Sequence, residues 1–212
     1  MTTLLLIRHG ESEANRNNIF AGQIDPTLQQ RGVKQAELTA KYIMDNYKLD
    51  RIYSSDLQRA YNTAMCLSKL SGLDVIKDKG LREMDAGEWE GMLFDELPVR
   101  YPGEFGVWME DIGKAPCPGG ETVSELSKRV MNTLLKIAME NEGKTVAVAT
   151  HATPVRVAQS IIETGTIDRM NDFAWVSNAS VTVLVYDGTW KVVRASIDEH
   201  LDELKTILPD NV

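Results

Sequence analysis

The sequence predicts an α/β fold of three layers, α/β/α, with helices on both faces of a mostly parallel central sheet. Three observations carry that prediction. Short apolar runs alternate with longer segments whose apolar residues recur at helical spacing, the pattern of strands joined by crossover helices. Such crossovers are right-handed, which distributes the helices over both faces. Two of the apolar runs also stop on a histidine: residues 4–7 run into Arg8-His9, and residues 145–150 run into His151. Ligands of open α/β sheets bind at the C-terminal ends of strands.

Taken in order, residues 4–7 are four consecutive apolar residues and read as a buried strand, after which Gly10 lets the backbone turn tightly. Residues 13–30 are polar, broken by Asn15, Asn17, Asn18, Gly22 and Asp25-Pro26, and read as a loop. Val33, Ala36, Ala40, Ile43 and Tyr47 form the apolar face of a helix. Residues 51–54 are a second strand. Ser55 and Gln58 are spaced as a capping box for the next helix, whose buried stripe is Leu57, Ala60, Ala64 and Leu67. Arg59 falls in its first turn, off that stripe. Val75-Ile76 is a brief strand, and the acidic, glycine-punctuated residues 81–91 read as a loop. Residues 92–118, interrupted by prolines and glycines, read as short helical turns forming a lid-like insertion. Thr122 and Glu125 make a second capping box for a helix carrying Val123, Leu126, Val130, Leu134 and Ile137, which Gly143 ends. After the strand at 145–150, Thr153 and Pro154 are spaced as the N-cap and first residue of a helix. Residues 180–186 and 190–195 pair across Asp187-Gly188 as a hairpin. The polar C-terminal tail is expected on the surface. With no repeat or linker, residues 1–212 read as a single domain.

Of the 212 residues, 43% are hydrophobic and 25% charged, ordinary values for one globular domain. A formal net charge of -8 argues against the broad basic face of a nucleic-acid binder. It leaves room for a small anionic substrate, because a few arginines set the field of a cleft. Cys66 and Cys117 lack paired spacing and read as free thiols in a reducing compartment. The first apolar run is too short for a signal h-region, and no stretch is long enough to span a bilayer. A soluble, cytoplasmic protein with no membrane partner is expected.

The chain has three histidines. His200, in the charged tail, reads as a surface residue without a role. His9 and His151 share the sheet edge with Arg8, and Arg59 sits just inside a helix N-terminus. Such helix starts offer free N–H groups and a positive dipole end. Alone, each residue has an ordinary explanation, a solvated arginine or a satisfied core histidine. Their convergence on one edge favours a pocket for a dianion. A zinc site built from His9, His151 and a carboxylate competes with it. It is disfavoured because Arg8 and Arg59 repel a cation, and neither a metal nor a cofactor is expected.

Arg8-His9-Gly10-Glu11-Ser12, with Asn15 three residues on, resembles the signature of the histidine phosphatase superfamily, the phosphoglycerate mutase-like proteins. Ser54-Ser55-Asp56-Leu57-Gln58-Arg59-Ala60 with Thr63-Ala64 resembles its second motif. Leu81-Arg82-Glu83 followed by Gly87-Glu88-Trp89-Glu90-Gly91 resembles its third. Pro118-Gly119-Gly120-Glu121 and Val148-Ala149-Thr150-His151 complete the set, in order along nearly the whole chain. The resemblance implies that His9 is a nucleophile that becomes a phosphohistidine. Arg8, Arg59 and His151 would clamp the phosphoryl oxygens, and Asn15 and the backbone near Gly22 would line the same site. Glu83 would protonate the leaving oxygen and then help activate water. The chemistry is coherent. Phosphoryl transfer needs in-line positioning and charge compensation, neutral imidazole is a competent nucleophile, and an alkoxide needs a proton. The residues alone do not separate Glu83 from Glu88 or Glu90; that choice rests on the resemblance. Two positions depart from the family pattern. Gln29 stands where a Thr or Ser usually precedes the first long helix, and Ala152 stands where a glycine usually follows the histidine. The Ala152 methyl either crowds the phosphate or is harmless.

Mutases of this family hold a second acidic group with an extra lysine and with tandem arginines soon after a tryptophan. Here Trp108 is followed by Met109-Glu110-Asp111, acids that would repel a bisphosphoglycerate if they faced the pocket, and Arg100 and Lys114 are not paired. The expected function is therefore a metal-independent phosphatase of a small phosphomonoester. A cofactor-dependent phosphoglycerate mutase is the alternative. A silent phosphoester-binding domain is a third reading, but it would lack one of His9, Arg59, Glu83 or His151. A homodimer is compatible, with Trp175 and Trp190 as interface candidates, although core packing is the favoured role for both.

Overall fold

The structure, a computed structural model, describes residues 1–206. β1 (Thr2–Arg8), β2 (Arg51–Ser54), β3 (Val75–Lys77), β4 (Thr145–Thr150), β5 (Val181–Tyr186) and β6 (Trp190–Ile197) form one sheet in the order β3-β2-β4-β1-β5-β6. The first four are parallel, while β5 runs antiparallel to both β1 and β6. β1 and β4 lie at the centre, covered on both faces, which is why they read as unbroken apolar runs. The period of two along β1 divides the core. Leu5 and Ile7 pack with Ala40 and Ile43 of α2 (Gln30–Asn46) and Ala64 and Leu67 of α3 (Gln58–Ser71). Leu4 and Leu6 pack with Leu126, Val130 and Leu134 of α6 (Val123–Glu140) and Val155 and Ala158 of α7 (Ala152–Thr164). The expected three layers follow. Among the described residues no helix is long and apolar enough to cross a membrane.

Local signals fared unevenly. The Thr122–Glu125 box caps α6 as expected. Within the expected loop at 13–30 a short helix forms, α1 (Glu13–Arg16), capped by Ser12 in a reciprocal box with Asn15. Ser55 does not cap α3. That helix begins at Leu57 without a side-chain cap, and Ser55 Oγ is instead 2.9 Å from His151 Nε2. α7 starts two residues earlier than expected, with His151 itself as N-cap, so Thr153 and Pro154 lie inside the helix. Residues 92–118 form two short helices, α4 (Leu97–Arg100) and α5 (Pro102–Glu110), between single turns of 3-10 helix. Leu97, Trp108 and Ile112 bury themselves in the α6/α7 side of the core, so the segment is anchored as one wall of a cavity.

The tail departs most from expectation. Glu199–Leu204 is a 3-10 turn packed on α2, with Leu201 buried and Gln35 Nε2 donating to the Leu204 carbonyl at 2.8 Å. His200 is not a free surface residue: its ring stacks on Tyr42 at 4.6 Å and its Nε2 lies 2.9 Å from Thr39 Oγ1. The part of the tail beyond residue 206 lies outside the described residues.

Gly10 is required for a reason other than a tight turn. Its φ is not positive. A Cβ on Gly10 would sit 2.3 Å from the Gly32 carbonyl oxygen, and one on Gly32 would sit 2.1 Å from that of Glu11. The turn after β1 thus rests backbone to backbone on the first turn of α2. Gly10→Ala is expected to destabilise the fold by about 2–3 kcal/mol, the range of overpacked cores. An unchanged urea midpoint in the variant would show that this contact yields freely.

Candidate active site

Four segments converge beyond the C-terminal ends of β1 and β4. β1 delivers Arg8 and His9, β4 delivers His151, the first turn of α3 delivers Arg59, and the loop after β3 delivers Glu83. The His9 N–H donates to the Thr150 carbonyl at 3.0 Å, tying the two strand ends together. The two imidazole centroids are 5.1 Å apart, edge to face. His9 Nδ1 lies 2.7 Å from the Gly10 carbonyl oxygen. A carbonyl only accepts, so Nδ1 carries the hydrogen and Nε2 keeps its lone pair. His9 and His151 are 4% and 0% exposed. Burial first, then the charges of Arg59 and Arg8, hold both rings well below the usual imidazole range, so both are neutral.

Arg59, which the helical stripe left on the outside, is 1% exposed. Its Nη1 and Nη2 donate to the carbonyls of Ile24 at 2.8 Å and Gly22 at 2.7 Å. The 22–24 loop can fold beneath it because Gly22 has φ +47 and no Cβ, which would sit 2.3 Å from Glu90 Oε1. Arg8 Nη1 donates to the Val176 carbonyl. Burial pushes Arg8 down to about 10 and lowers Arg59, with the Glu83 carboxylate opposing in both cases. Neither arginine has a salt-bridge partner among the described residues. The Nε atoms of both arginines and Nδ1 of His151 are buried without any partner. Buried cations short of counter-charge, with idle donors, are what a dianion would satisfy.

Glu83 is held by backbone. Its Oε1 accepts from Met84 N at 2.8 Å and its Oε2 from Thr153 N, in the first turn of α7, at 3.4 Å. Arg129, paired with Glu121 at 2.6 Å, donates to the carbonyls of Gly80, Arg82 and Glu83 and fixes the loop that carries the acid. Glu88 accepts from Tyr101 Oη, and Glu90 accepts from Gln23 N and Ala86 N; neither lines the cavity. Geometry therefore separates Glu83 from its neighbours, which the residues alone did not.

One N–H at each helix start is already committed. The first N–H of α3, on Gln58, donates to Asp25 Oδ1 at 2.6 Å, and Thr153 N of α7 is committed to Glu83. Asn15 Oδ1 accepts from Ser12 N, Ser12 Oγ and Asn178 Nδ2, which leaves its own Nδ2 for a ligand. Asn178, which sequence reasoning missed, also donates to the His9 carbonyl at 3.1 Å. It lies just before β5, separated from it by Ala179 and Ser180, and because β5 is antiparallel its start lies beside the end of β1, with Val181 opposite Ile7. The spacing Ser177-Asn178-Ala179-Ser180 before a strand was the available signal.

Arg8, His9, Asn15, Gly22, Arg59 and Glu83 line one cavity of about 530 Å³; His151 is not in its lining but its ring is 5.1 Å from that of His9. The Ala152 methyl faces the same cavity. Glu110 and Asp111 do not, so the condition on which they would repel a bisphosphoglycerate is not met. Lys114 is paired with Asp111 at 2.7 Å, and it and Arg100 are likewise absent from the lining.

The depressed histidines link stability to acid. The unfolded chain binds protons near pH 6.5 where folded His9 and His151 do not. Stability is therefore full above pH 6.5 and is lost as pH falls, by about 1.4 kcal/mol per pH unit per histidine. The half-buried His200 shifts in the same direction. Thermal unfolding midpoints are expected to be flat from pH 8 to 7 and to fall below 6.5, less steeply in His151→Asn. A slope identical in that variant would remove His151 from the account.

The sequence model of the histidine phosphatase superfamily (branch 1) matches residues 4–198. Phosphoserine phosphatase 1 of Hydrogenobacter thermophilus is 35% identical over 204 residues, 96% of this chain and 96% of that one. Among solved structures, Bacillus stearothermophilus YhfR superposes with a TM-score of 0.90 at 27% identity, covering 95% of this chain and all of the other. A mutant phosphoserine phosphatase from Entamoeba histolytica, in complex with phosphoserine, superposes at 0.82 with 28% identity, covering 95% of this chain and 100% of that one.

Proposed function

The chain belongs to branch 1 of the histidine phosphatase superfamily and is a phosphatase, and on that premise we propose that it hydrolyses small phosphomonoesters through a phosphohistidine on His9. The observation that carries the reading is the His9 tautomer. Nδ1 is spent on the Gly10 carbonyl, so Nε2 is a neutral nucleophile between two buried arginines without ion-pair partners.

In the first step the phosphoryl oxygens take the idle donors of Arg8, Arg59 and Asn15, and of His151 Nδ1 in the tautomer whose Nε2 accepts from Ser55 Oγ. Nε2 of His9 attacks phosphorus, the P–O ester bond breaks, and the Glu83 carboxyl passes its proton to the departing oxygen. In the second step Glu83, now a carboxylate, takes a proton from water as that water attacks phosphorus. The P–N bond breaks, and inorganic phosphate and free His9 are released. The arginines compensate charge throughout.

The test is a rapid acid-free quench during turnover of p-nitrophenyl phosphate in chelator. A phosphoryl group on the protein, stable in alkali and lost in acid, is expected; turnover without one would sink the phosphohistidine. The mutase alternative lacks, among the described residues, a cation lining the cavity beyond the phosphoryl clamp, since neither Arg100 nor Lys114 lines it. Efficient 3- to 2-phosphoglycerate conversion stimulated by bisphosphoglycerate would restore it.

A further inference from the structure

Beyond the phosphoryl clamp the cavity changes character. Its outer wall is built from Phe20, Phe94, Phe105, Trp108, Met109 and Trp175. The rings brace one another: Phe20 meets Trp108 edge-on at 5.1 Å and Phe94 at 5.1 Å, and Trp108 stacks on Trp175 at 6.3 Å. The wall is therefore preformed. The charged side chains lining the cavity are Arg8, Arg59 and Glu83, all committed at the phosphoryl end, and Asp95. Among the described residues no cation lines the outer half, and Asp95 would repel a second anion there.

A further buried cation does lie close by, and its position is informative. Arg156, on α7, is 4% exposed and has no carboxylate partner among the described residues. Its guanidinium sits over the Trp175 ring at 4.1 Å, and its Nη2 donates to the carbonyls of Met170 at 2.9 Å and Phe173 at 3.0 Å. It does not line the cavity. Its charge is spent on holding the indole and the 170–173 backbone in place, so the wall keeps an apolar face to the substrate.

We infer that the site selects phosphomonoesters whose organic part is apolar and uncharged, and discriminates against esters carrying a second anionic group. An apolar group gains by leaving water for these rings, whereas a carboxylate would be desolvated with no counter-charge. The inference rests on the phosphatase reading above and gives it a substrate class.

The test uses three alkyl esters, so that leaving-group acidity does not decide the outcome: 2-phenylethyl phosphate, O-phosphoserine and 3-phosphoglycerate. The purified enzyme is expected to show kcat/KM at least about 10-fold higher for the first, a typical discrimination for one apolar contact region. Equal or better turnover of either charged ester would overturn the inference and leave the phosphatase reading standing. Inertness toward all three and toward p-nitrophenyl phosphate would instead overturn the phosphatase reading and the inference with it. Trp175→Ala is expected to reduce the preference about 10-fold, since it removes an apolar wall and the ring that holds the Arg156 charge. Met109 lines the cavity and is 40% exposed, so Met109→Arg supplies the missing cation without disturbing the core. It is expected to raise kcat/KM for 3-phosphoglycerate at least about 5-fold, within the range of one charge-assisted contact. No gain in that variant would refute the missing cation as the cause of the selectivity.

Discussion

Replacing His9 with alanine is expected to lower kcat/KM for p-nitrophenyl phosphate by about 10⁴-fold or more, because it removes the covalent route itself. Affinity for inorganic phosphate should change little. Arg59 is set by the carbonyls of Gly22 and Ile24, and Arg8 by that of Val176, so neither guanidinium depends on the His9 ring for its position. The measurement is therefore double: turnover, and protection against thermal unfolding by added phosphate. Lost turnover with retained protection separates the nucleophile from the anion clamp. A variant that keeps more than about one hundredth of the activity would mean that water or another residue attacks phosphorus directly, and the phosphohistidine would fall. Loss of both activity and protection would point to a collapsed site, which the tie between His9 N and the Thr150 carbonyl argues against, since it belongs to the backbone.

What could be read in advance follows from how local each signal is. Leu4-Leu5-Leu6-Ile7 is legible as a central strand because burial on both faces leaves no polar position in it. The Thr122–Glu125 box is legible because both partners sit within one helical turn. Ser55 and Gln58 have comparable spacing and fail, because the Ser55 hydroxyl finds His151, 96 residues away, and spacing carries no record of that competitor. Gly10 was assigned to a turn, whereas its constraint comes from Gly32, a contact that exists only after α2 packs. The helix starts were placed at the sheet edge, but spacing did not show that Asp25 and Glu83 each take one of their N–H groups from distant loops. Asn178 was not singled out, and Trp175 was read as core packing or interface, for the same reason. Their place in the site depends on β5 running antiparallel beside β1, a fact of topology. The motifs name the chemistry at the phosphoryl end, while the leaving-group pocket is assembled by packing of residues 92–118 and 170–178.

Glu83→Gln is expected to cost about 10²–10⁴-fold in kcat for alkyl phosphates, the range of a lost general acid. The loss should be uneven across substrates. A p-nitrophenolate departs without a proton, so its release in the first step should be nearly unaffected, while an alkoxide cannot leave unaided. The second step needs the Glu83 carboxylate as base in every case, so the variant should give a burst of p-nitrophenol followed by slow turnover, with phosphorylated protein accumulating. The substitution is gentle. Glutamine still offers an oxygen to Met84 N, although its amide cannot accept from Thr153 N as Oε2 does, a loss of about 1 kcal/mol. Removing the carboxylate also takes away the negative charge that opposes the positive field of Arg8 and Arg59, so inorganic phosphate should bind more tightly. Tighter phosphate with slower turnover distinguishes a lost proton carrier from a damaged clamp, which would weaken both. If the alkyl and nitrophenyl esters slow by the same factor and no burst is seen, Glu83 is not the group that protonates the leaving oxygen. The idle acid at the rim, Asp95, would then be the next carboxylate in the cavity to replace.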